Sequence, residues 1–150
     1  MVVTSAPVLR FSVLWNETPL VGVNRVTGLR RVVDVIEYQE GTATGAIATT
    51  KLPGDVTFEP LTLERPVTGD ATFATLADSA APPAHGADHS GTLTIVLHNQ
   101  VGSLVLKCTL HEAWVSAYDV CAELDAHTEP VVERITVVYQ SWQLVHSPTT

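Results

Sequence analysis

Hydrophobic and polar residues alternate along much of the chain with the two-residue period of strands that bury one face. In the clearest stretch, Leu93, Ile95 and Leu97 occupy every second position, and the same alternation returns from Leu104 to Leu110 after a short turn at 99–102. These two stretches predict a β-hairpin. Further strands are predicted over residues 9–15, 20–26, 32–39, 56–63 and 131–145, the first two joined by a turn at 16–19.

One short helix is predicted within this strand pattern. Apolar residues recur at the i, i+3, i+4, i+7 spacing of an amphipathic helix. The stripe comprises Phe73, Leu76, Ala77 and Ala80. Asp70 or Thr68 is available as the N-cap, and the pair Pro82-Pro83 ends the helix. Residues 80–91, rich in alanine, proline and glycine, are typical of a linker.

These elements predict one domain over residues 1–150. The sequence has no internal repeat and no second compositional regime. The fold class is therefore expected to be mainly β, a two-sheet barrel or sandwich with one short helix.

The segment from residue 41 to residue 54 has no core-forming pattern. Threonine, alanine and glycine dominate it, its large apolar residues are Ile47 and Leu52, and its one charge is Lys51. We expect a loop between two strands, and structureless loops of this length are usually functional or disordered. Capture of a ligand on a rigid scaffold is one interpretation of such a loop.

Composition favours a protein that assembles. Of the 150 residues, 45% are hydrophobic and only 16% are charged, against about 25% charged in typical soluble domains. Interfaces of obligate oligomers are depleted in charge in this way. The net charge of −8 argues against general nucleic-acid binding, which needs basic side chains. The sequence predicts neither a secretory signal nor membrane insertion, and a reduced cytoplasmic setting is the default expectation.

Residues with catalytic or metal-binding potential are few. His85 and His89, with Asp88, come closest to a metal motif, but they span Gly86, so a solvated loop is the preferred interpretation. His98 and His111, on the two paired strands, are candidates to face each other as polar surface residues. We therefore expect no metal ligands and no cofactor.

The cysteines do not form a recognisable site. Cys108 and Cys121 are thirteen residues apart and do not form a CxxC motif. Both are expected to be small buried hydrophobic residues, and a disulfide between them stays an open alternative. Cys121 with His127 has the residue types of a nucleophile and base, but nothing nearby supplies an oxyanion hole. The sequence therefore predicts no catalytic residues and no enzyme.

Four blocks in chain order carry a family resemblance. Residues 11–41 contain "V-x-G-L" followed by "E-Y-x-x-G", and residues 51–70 contain "K-x-P-G" followed by "L-T-L-x-R-x-x-T". Residues 93–126 contain an apolar hairpin and "A-W-x-S-x-Y", and residues 129–144 contain "V-x-E-x-I". Together these blocks resemble the tail tube proteins of contractile phages and of phage-like contractile injection systems.

The resemblance implies a fold, a function and partners. The fold is a barrel-like sandwich of two sheets with a helix at its side and a long extended hairpin. The function is that of a structural subunit of an inner tube, built from stacked rings of six with a hollow lumen for cargo or DNA. Its partners are further copies of itself, sheath protein, baseplate and spike, terminator proteins, and an effector or DNA in the lumen. Assembly occurs in the bacterial cytoplasm, and the particle is a phage tail or is released extracellularly.

Two alternatives stay open beside this interpretation. One is the haemolysin-coregulated tube protein of type VI secretion, which shares the architecture. The other is a monomeric β-sandwich that binds a ligand on its long loop. In the tube interpretation, that segment is instead the outer part of a hairpin that reaches neighbouring subunits. Its candidate interface residues are Thr42, Thr44, Ile47, Thr49, Thr50, Lys51, Leu52 and Pro53.

Overall fold

The structure is a computed structural model that describes residues 9–80, 90–120, 126 and 131–147. Within these residues the chain forms ten strands and one helix. The strands are β1 (Arg10–Trp15), β2 (Thr18–Pro19), β3 (Arg25–Thr27), β4 (Arg31–Gly41), β5 (Ile47–Phe58), β6 (Leu61–Pro66), β7 (Gly91–His98), β8 (Leu104–Val120), β9 (Val132–Val138) and β10 (Ser141–His146). The helix is α1 (Thr72–Ala80). The expected mainly-β fold with one short helix is confirmed.

Two antiparallel sheets share the long strand β8. Its first half pairs with β7 on one side and β10 on the other, and its second half pairs with β9. The first sheet has the order β2-β1-β7-β8-β10, and the second has the order β8-β9-β6-β3. The end strands β2 and β3 do not pair with each other among the described residues, so the sheet is not closed.

A single residue lets β8 serve both sheets. Glu112 has a φ of 52°, in the left-handed region. Before it the buried residues are Cys108 and Leu110, and after it they are Ala113 and Val115. The alternation therefore shifts by one position at Glu112, as at a β-bulge, and the strand keeps its apolar side toward the core while it bends.

The core lies between the two sheets and the helix. Its side chains come from both sheets and from α1. The fully buried apolar residues are Leu61, Leu63, Phe73, Leu93, Leu110, Ala113, Ile135 and Val137. The predicted helical stripe is confirmed, because Phe73 is buried and Leu76 and Ala77 pack against the same core.

A buried ionic network joins the second sheet to the start of the helix. Arg65 is 1% exposed and its Nε donates to Glu133 Oε1 at 2.5 Å. Its remaining nitrogens donate to the carbonyl oxygens of Val21 and Asp70 at 3.0 and 2.9 Å, and the guanidinium lies 4.0 Å from the centre of the Phe73 ring. Buried charges are tolerated when paired and hydrogen-bonded in this way.

The pKa values of Tyr118 and Asp70, which lie beside the network, are shifted from their ordinary values. The Tyr118 hydroxyl donates to Glu133 Oε2 at 2.8 Å, and burial, followed by this hydrogen bond, raises the pKa of Tyr118. Of the two predicted N-cap residues, Asp70 caps the helix, because its Oδ1 accepts from the Thr72 hydroxyl at 2.6 Å and from the Thr72 backbone N–H at 2.8 Å. The Thr68 hydroxyl accepts from the Asp70 N–H at 3.3 Å. The two hydrogen bonds from Thr72 lower the pKa of Asp70. Pro82 and Pro83, and most of the predicted linker, lie outside the described residues.

Three predicted strands have different boundaries. The strand over 20–26 is wrong, because β2 covers only Thr18–Pro19 and β3 pairs with β6 in the other sheet. Gly22, with a φ of 87°, redirects the chain between them. The strand over 56–63 is divided between β5 and β6 at 59–60, where Pro60 lacks the N–H that a continuous ladder needs. The run 131–145 is likewise divided into β9 and β10.

The described residues contain no helical segment with the length and hydropathy needed to cross a membrane.

Candidate assembly interface

The strands β4 and β5 form a separate two-stranded sheet, which we call the arm. They pair with each other from Arg31 opposite Phe58 to Gly41 opposite Ile47, and with no other described strand. The expectation of a loop over 41–54 is therefore wrong for residues 47–54, which belong to β5. The segment lacks a core pattern because the part of the chain that the structure describes buries neither face of the arm.

The end of the arm is a compact turn. The backbone N–H and the hydroxyl of Thr42 both donate to the Ala46 carbonyl oxygen at 2.9 Å, and the Gly45 N–H donates to the Thr42 carbonyl oxygen at 3.0 Å. Gly45 has a φ of 82°, which glycine adopts without strain. The hydroxyls of Thr42 and Thr44 lie 3.1 Å apart. The predicted residues at the tip are thus held by local hydrogen bonds.

The root of the arm is fixed to the body by aromatic packing. The Phe58 ring lies 5.8 Å from that of Tyr139 and 5.3 Å from that of Trp142 between centroids. Beside it, the Glu59 N–H donates to the Arg30 carbonyl oxygen at 2.9 Å. Aromatic pairs at these separations stabilise the fold by more than the area that they bury accounts for. The first residues of the arm are therefore held to the core.

A β-bulge separates this root from the outer arm, residues 35–41 and 47–53. Val33 lies opposite Val56, whereas Val35 lies opposite Pro53, so two residues of β5, Gly54 and Asp55, face the single residue 34 of β4. Opposite residues in an antiparallel pair carry their side chains on the same face. The register beyond the bulge therefore defines the two faces of the outer arm.

The first of these, the apolar face, has little charge. It comprises Ile36, Tyr38 and Glu40 of β4 with Leu52, Thr50 and Ala48 of β5. Ile36 is 52% exposed, Leu52 45% and Tyr38 40%. Glu40, near the tip, is the single ionisable carboxylate on this face. Exposed apolar groups arranged contiguously mark interaction surfaces more often than single exposed residues do.

The opposite, charged face is built around an ion pair. It comprises Val35, Glu37, Gln39 and Gly41 of β4 with Pro53, Lys51, Thr49 and Ile47 of β5. Lys51 Nζ lies 3.8 Å from Glu37 Oε1, and both side chains are more than half exposed. Lys51 thus has a partner within its own arm, and its role as a contact between subunits stays a prediction.

The eight predicted interface residues do not lie on one surface. Thr42 and Thr44 are in the turn. The rest are divided between the charged face, with Ile47, Thr49, Lys51 and Pro53, and the apolar face, with Thr50 and Leu52.

Sequence reasoning missed the β4 members of the arm, chiefly Val35, Ile36 and Tyr38. Their pattern is that of a strand packed in a core, and nothing in it distinguishes burial by the same chain from burial by another. A register drawn from Gly41 opposite Ile47 would have placed them beside the predicted residues.

The residues that the structure describes form no metal-binding cluster outside the arm, and their cysteine is not reactive. The residues that the structure describes contain no group of three or more potential metal ligands. His85, Asp88, His89, Cys121 and His127 lie outside them. Cys108 is a buried free thiol, as expected, and burial raises its pKa to about 11. A protonated, enclosed thiol is a poor nucleophile.

The two histidines of the β7–β8 pair do not face each other. His98 is opposite Leu104, and its Nε2 lies 3.2 Å from the Ser12 hydroxyl, whereas His111 is opposite Ser141.

Comparison with known proteins identifies a family. Residues 7–143 match the family model of the T4-like virus tail tube protein gp19. No curated protein matches the sequence.

Solved structures share the fold over nearly the whole chain. A chain from the anti-feeding prophage cap, the AFP tube terminating cap, is 20% identical with a TM-score of 0.81, over 98% of this chain and 95% of that one. A chain from the PVC sheath–tube complex of an extracellular contractile injection system in its extended state is 23% identical with a TM-score of 0.79, over 95% and 93%. Hcp1 from Flavobacterium johnsoniae is more distant, at 14% identity and a TM-score of 0.52, over 91% and 95%.

Proposed function

Because the chain belongs to the T4-like virus tail tube protein family, we propose that it is the repeating subunit of an inner tube, in a phage tail or a contractile injection particle. The family is structural, which confirms that the chain is not an enzyme. In this proposal six copies close a ring, rings stack, and the lumen conducts DNA or an effector. The family match over 137 residues, 7–143, is the observation that carries it.

The arm supports the proposal because it needs partners to bury its apolar face. Fully burying one large aliphatic side chain contributes roughly 1.5–3 kcal/mol. Ile36 and Leu52 are about half exposed, so covering them contributes about 1 kcal/mol each. One such arm is a weak contact, but a ring of six would present six at once, and simultaneous contacts make association persistent.

Open sheet edges support ring closure. Among the described strands, β10 pairs with β8 along one side only, and Leu144 and Val145 on it are 44% and 46% exposed. In the other sheet, the second half of β8 has one described neighbour, β9. Unpaired edges are templates for another chain, and two different edges suit the heterologous contacts of a ring.

The partners follow from the structures that share the fold. Such chains occur in a cap, a sheath–tube complex and a baseplate. We extend these partners to this chain: further copies of itself, sheath protein, baseplate and spike, and a terminator. The particle is assembled in the bacterial cytoplasm and works as a phage tail or as a released injection particle.

The type VI alternative is less well supported, because the structural similarity to Hcp1 is weaker. The TM-score is 0.52 for Hcp1 and 0.79 for the chain from the PVC sheath–tube complex. The ligand-binding alternative was based on an open loop over residues 41–54. Residues 47–54 are instead part of a paired strand, so that support is removed.

Electron microscopy of the purified chain tests the proposal. Negative staining over rising protein concentration should show rings and then tubes, and co-expression with its sheath should show a filled sheath. A chain that stays monomeric at high concentration, with no tube in particles from the native source, contradicts it.

Paired variants test the role of the arm. Ile36→Thr with Leu52→Thr removes apolar surface from the apolar face while keeping strand propensity. Losing about 2 kcal/mol per subunit contact should raise the protein concentration needed for assembly at least tenfold. Glu37→Gln with Gln39→Thr, on the charged face of β4, leaves every predicted interface residue in place, so this pair is the matched control and should assemble like the parent. Equal assembly of both variants would exclude the apolar face as a contact.

A further inference from the structure

The bulge in β5 contains an unusually close contact. The two residues opposite position 34 of β4 are Gly54 and Asp55. A Cβ built on Gly54 would lie 3.0 Å from Cγ1 and 3.1 Å from Cδ1 of Ile36, and 3.2 Å from the carbonyl oxygen of Asp34. The side chain of Ile36 thus packs directly on the backbone of the facing strand.

Glycine at position 54 is favoured by the limited space around it and not by its backbone conformation. Its φ is outside the left-handed region, so any residue can adopt its backbone geometry. Glycine within a strand often marks a bulge or a close approach of this kind. Gly41, in the same arm, provides the contrast, since a Cβ there would meet nothing within 4 Å.

The contact between Gly54 and Ile36 lies at the junction between the root of the arm and the outer arm. Root residues 31–33 and 56–58 are held by the aromatic packing of Phe58, whereas the outer arm pairs with no described strand of the body. Bulges bend a strand and increase its twist locally. Any change at the bulge is therefore carried along the whole outer arm.

We propose that the Gly54–Asp55 bulge, with Ile36 packed on Gly54, fixes the angle at which the outer arm leaves the body. The angle is a property of a single chain. Its consequence, that the arm is aimed at its contact on a neighbouring subunit, rests on the proposed function. Glycine at position 54 then serves assembly, although it contributes nothing to the core.

The size of the effect follows from the geometry. Restoring ordinary separations to contacts of 3.0–3.2 Å requires a displacement of up to about 0.4 Å. Across the roughly 4.8 Å between paired strands this is a tilt of about 5°. The outer arm spans seven residues of β4, 35–41, or about 23 Å. An alanine at position 54 should therefore move the tip by about 2 Å.

Pulsed electron paramagnetic resonance on the free subunit measures this movement. One spin label is placed at Ala43→Cys in the tip and the other at Val101→Cys, which is 87% exposed in the β7–β8 turn. Cys121→Ser forms the background, and the enclosed Cys108 stays unlabelled in the folded chain. The parent should give one narrow distance distribution.

Four variants separate the possible outcomes. Gly54→Ala should shift the mean distance by about 2 Å, and Gly41→Ala should leave it unchanged. Ile36→Ala, which adds no atoms and so tests the contact even if Gly54→Ala folds poorly, should broaden the distribution. Combining Gly54→Ala with Ile36→Ala should return the mean toward that of the parent. Distributions of Gly54→Ala and Ile36→Ala that both superimpose on the parent overturn the proposal.

Microscopy of the unlabelled variants then tests the consequence. Gly54→Ala should form tubes poorly or with a changed ring spacing, and Gly41→Ala should form normal tubes. A shifted arm with unchanged tubes overturns the aiming role. A parent chain that never forms rings contradicts the proposed function instead, and the distance measurements still decide whether the bulge sets the angle.

Discussion

Removing the positive charge of the buried network should destabilise the subunit strongly. In Arg65→Met, the Glu133 carboxylate, which is only 5% exposed, keeps the Tyr118 hydroxyl but loses its cation. The carbonyl oxygens of Val21 and Asp70 lose the donors that they have in the parent. Methionine fills much of the volume, so the change isolates the electrostatic and hydrogen-bonding contribution from a simple cavity.

The expected magnitude is about 3–5 kcal/mol, the usual effect of removing one partner of a buried ion pair. This is a large part of the roughly 5–15 kcal/mol that stabilises a native domain. At roughly 2–4 °C per kcal/mol for a chain of this length, the Tm should fall by about 6–20 °C. Replacing both partners, with Arg65→Met and Glu133→Leu, should restore much of the loss but not all, because the two carbonyl oxygens and Tyr118 stay without their partners.

Urea unfolding followed by tryptophan fluorescence measures the parent, Arg65→Met, Glu133→Leu and the double variant, and these four chains form a double-mutant cycle. The control is Arg134→Met, since Arg134 pairs with Glu64 at 3.2 Å but is 42% exposed. Exposed pairs contribute about 0–1 kcal/mol. An Arg65→Met chain within 1 kcal/mol of the parent, or single changes that simply add, would refute the claim that the pair acts as one buried unit.

Four further outcomes are expected. In a Cys121→Ser background, Cys108 should resist alkylation at pH 8 until urea unfolds the chain; modification of the folded chain at the rate of a free thiol would contradict its enclosure. Burial raises the pKa of Cys108 from 9.0 to about 11 and that of Tyr139 from 10.0 to about 12. The neutral forms are therefore favoured by folding, so the contribution of these two groups to the free energy of unfolding should be constant below pH 9 and should fall as the pH rises from 9 to 12. Tyr139→Phe should reduce that fall and add about 1 kcal/mol at pH 7, because the hydroxyl is buried with no hydrogen-bond partner among the described residues; a less stable variant in urea titration would contradict this. Glu112→Val should lose about 1–2 kcal/mol in thermal unfolding, since its φ of 52° strains a β-branched residue, whereas Glu112→Gly should be close to neutral.

Elements that bury one face within the chain were predictable from the sequence. The alternation through Leu93, Ile95 and Leu97 marks β7, and the stripe through Phe73 and Leu76 marks α1, because each pattern directly reflects burial against the core. The bend of β8 was not predictable, because a glutamate at position 112 carries no signal for a positive φ. The same is true of Arg65, whose burial depends on a glutamate 68 positions away.

The candidate interface was predictable only in outline. Family resemblance placed an extended hairpin over residues 41–54, and a hairpin is present, but β5 begins at Ile47 and its bulge decides which residues share a face. The predicted set therefore mixes both faces and omits Ile36 and Tyr38. Hydrophobicity alone does not distinguish a core strand from one that another subunit covers, because both bury the same kind of surface.

The sharing of β8 by both sheets has a consequence for how the subunit folds. Neither sheet can form completely without this strand, so the two should unfold in a single cooperative transition. The partners that must meet are distant in sequence, as in Arg10 opposite His98 and Leu61 opposite Val137. Closing such long loops before any contact is gained makes folding slow. During that interval the strand edges and the apolar arm are exposed together. Folding therefore competes with association between unfolded chains, which becomes faster as the concentration of copies rises. The balance of these two rates should determine whether new chains enter ordered rings or aggregate.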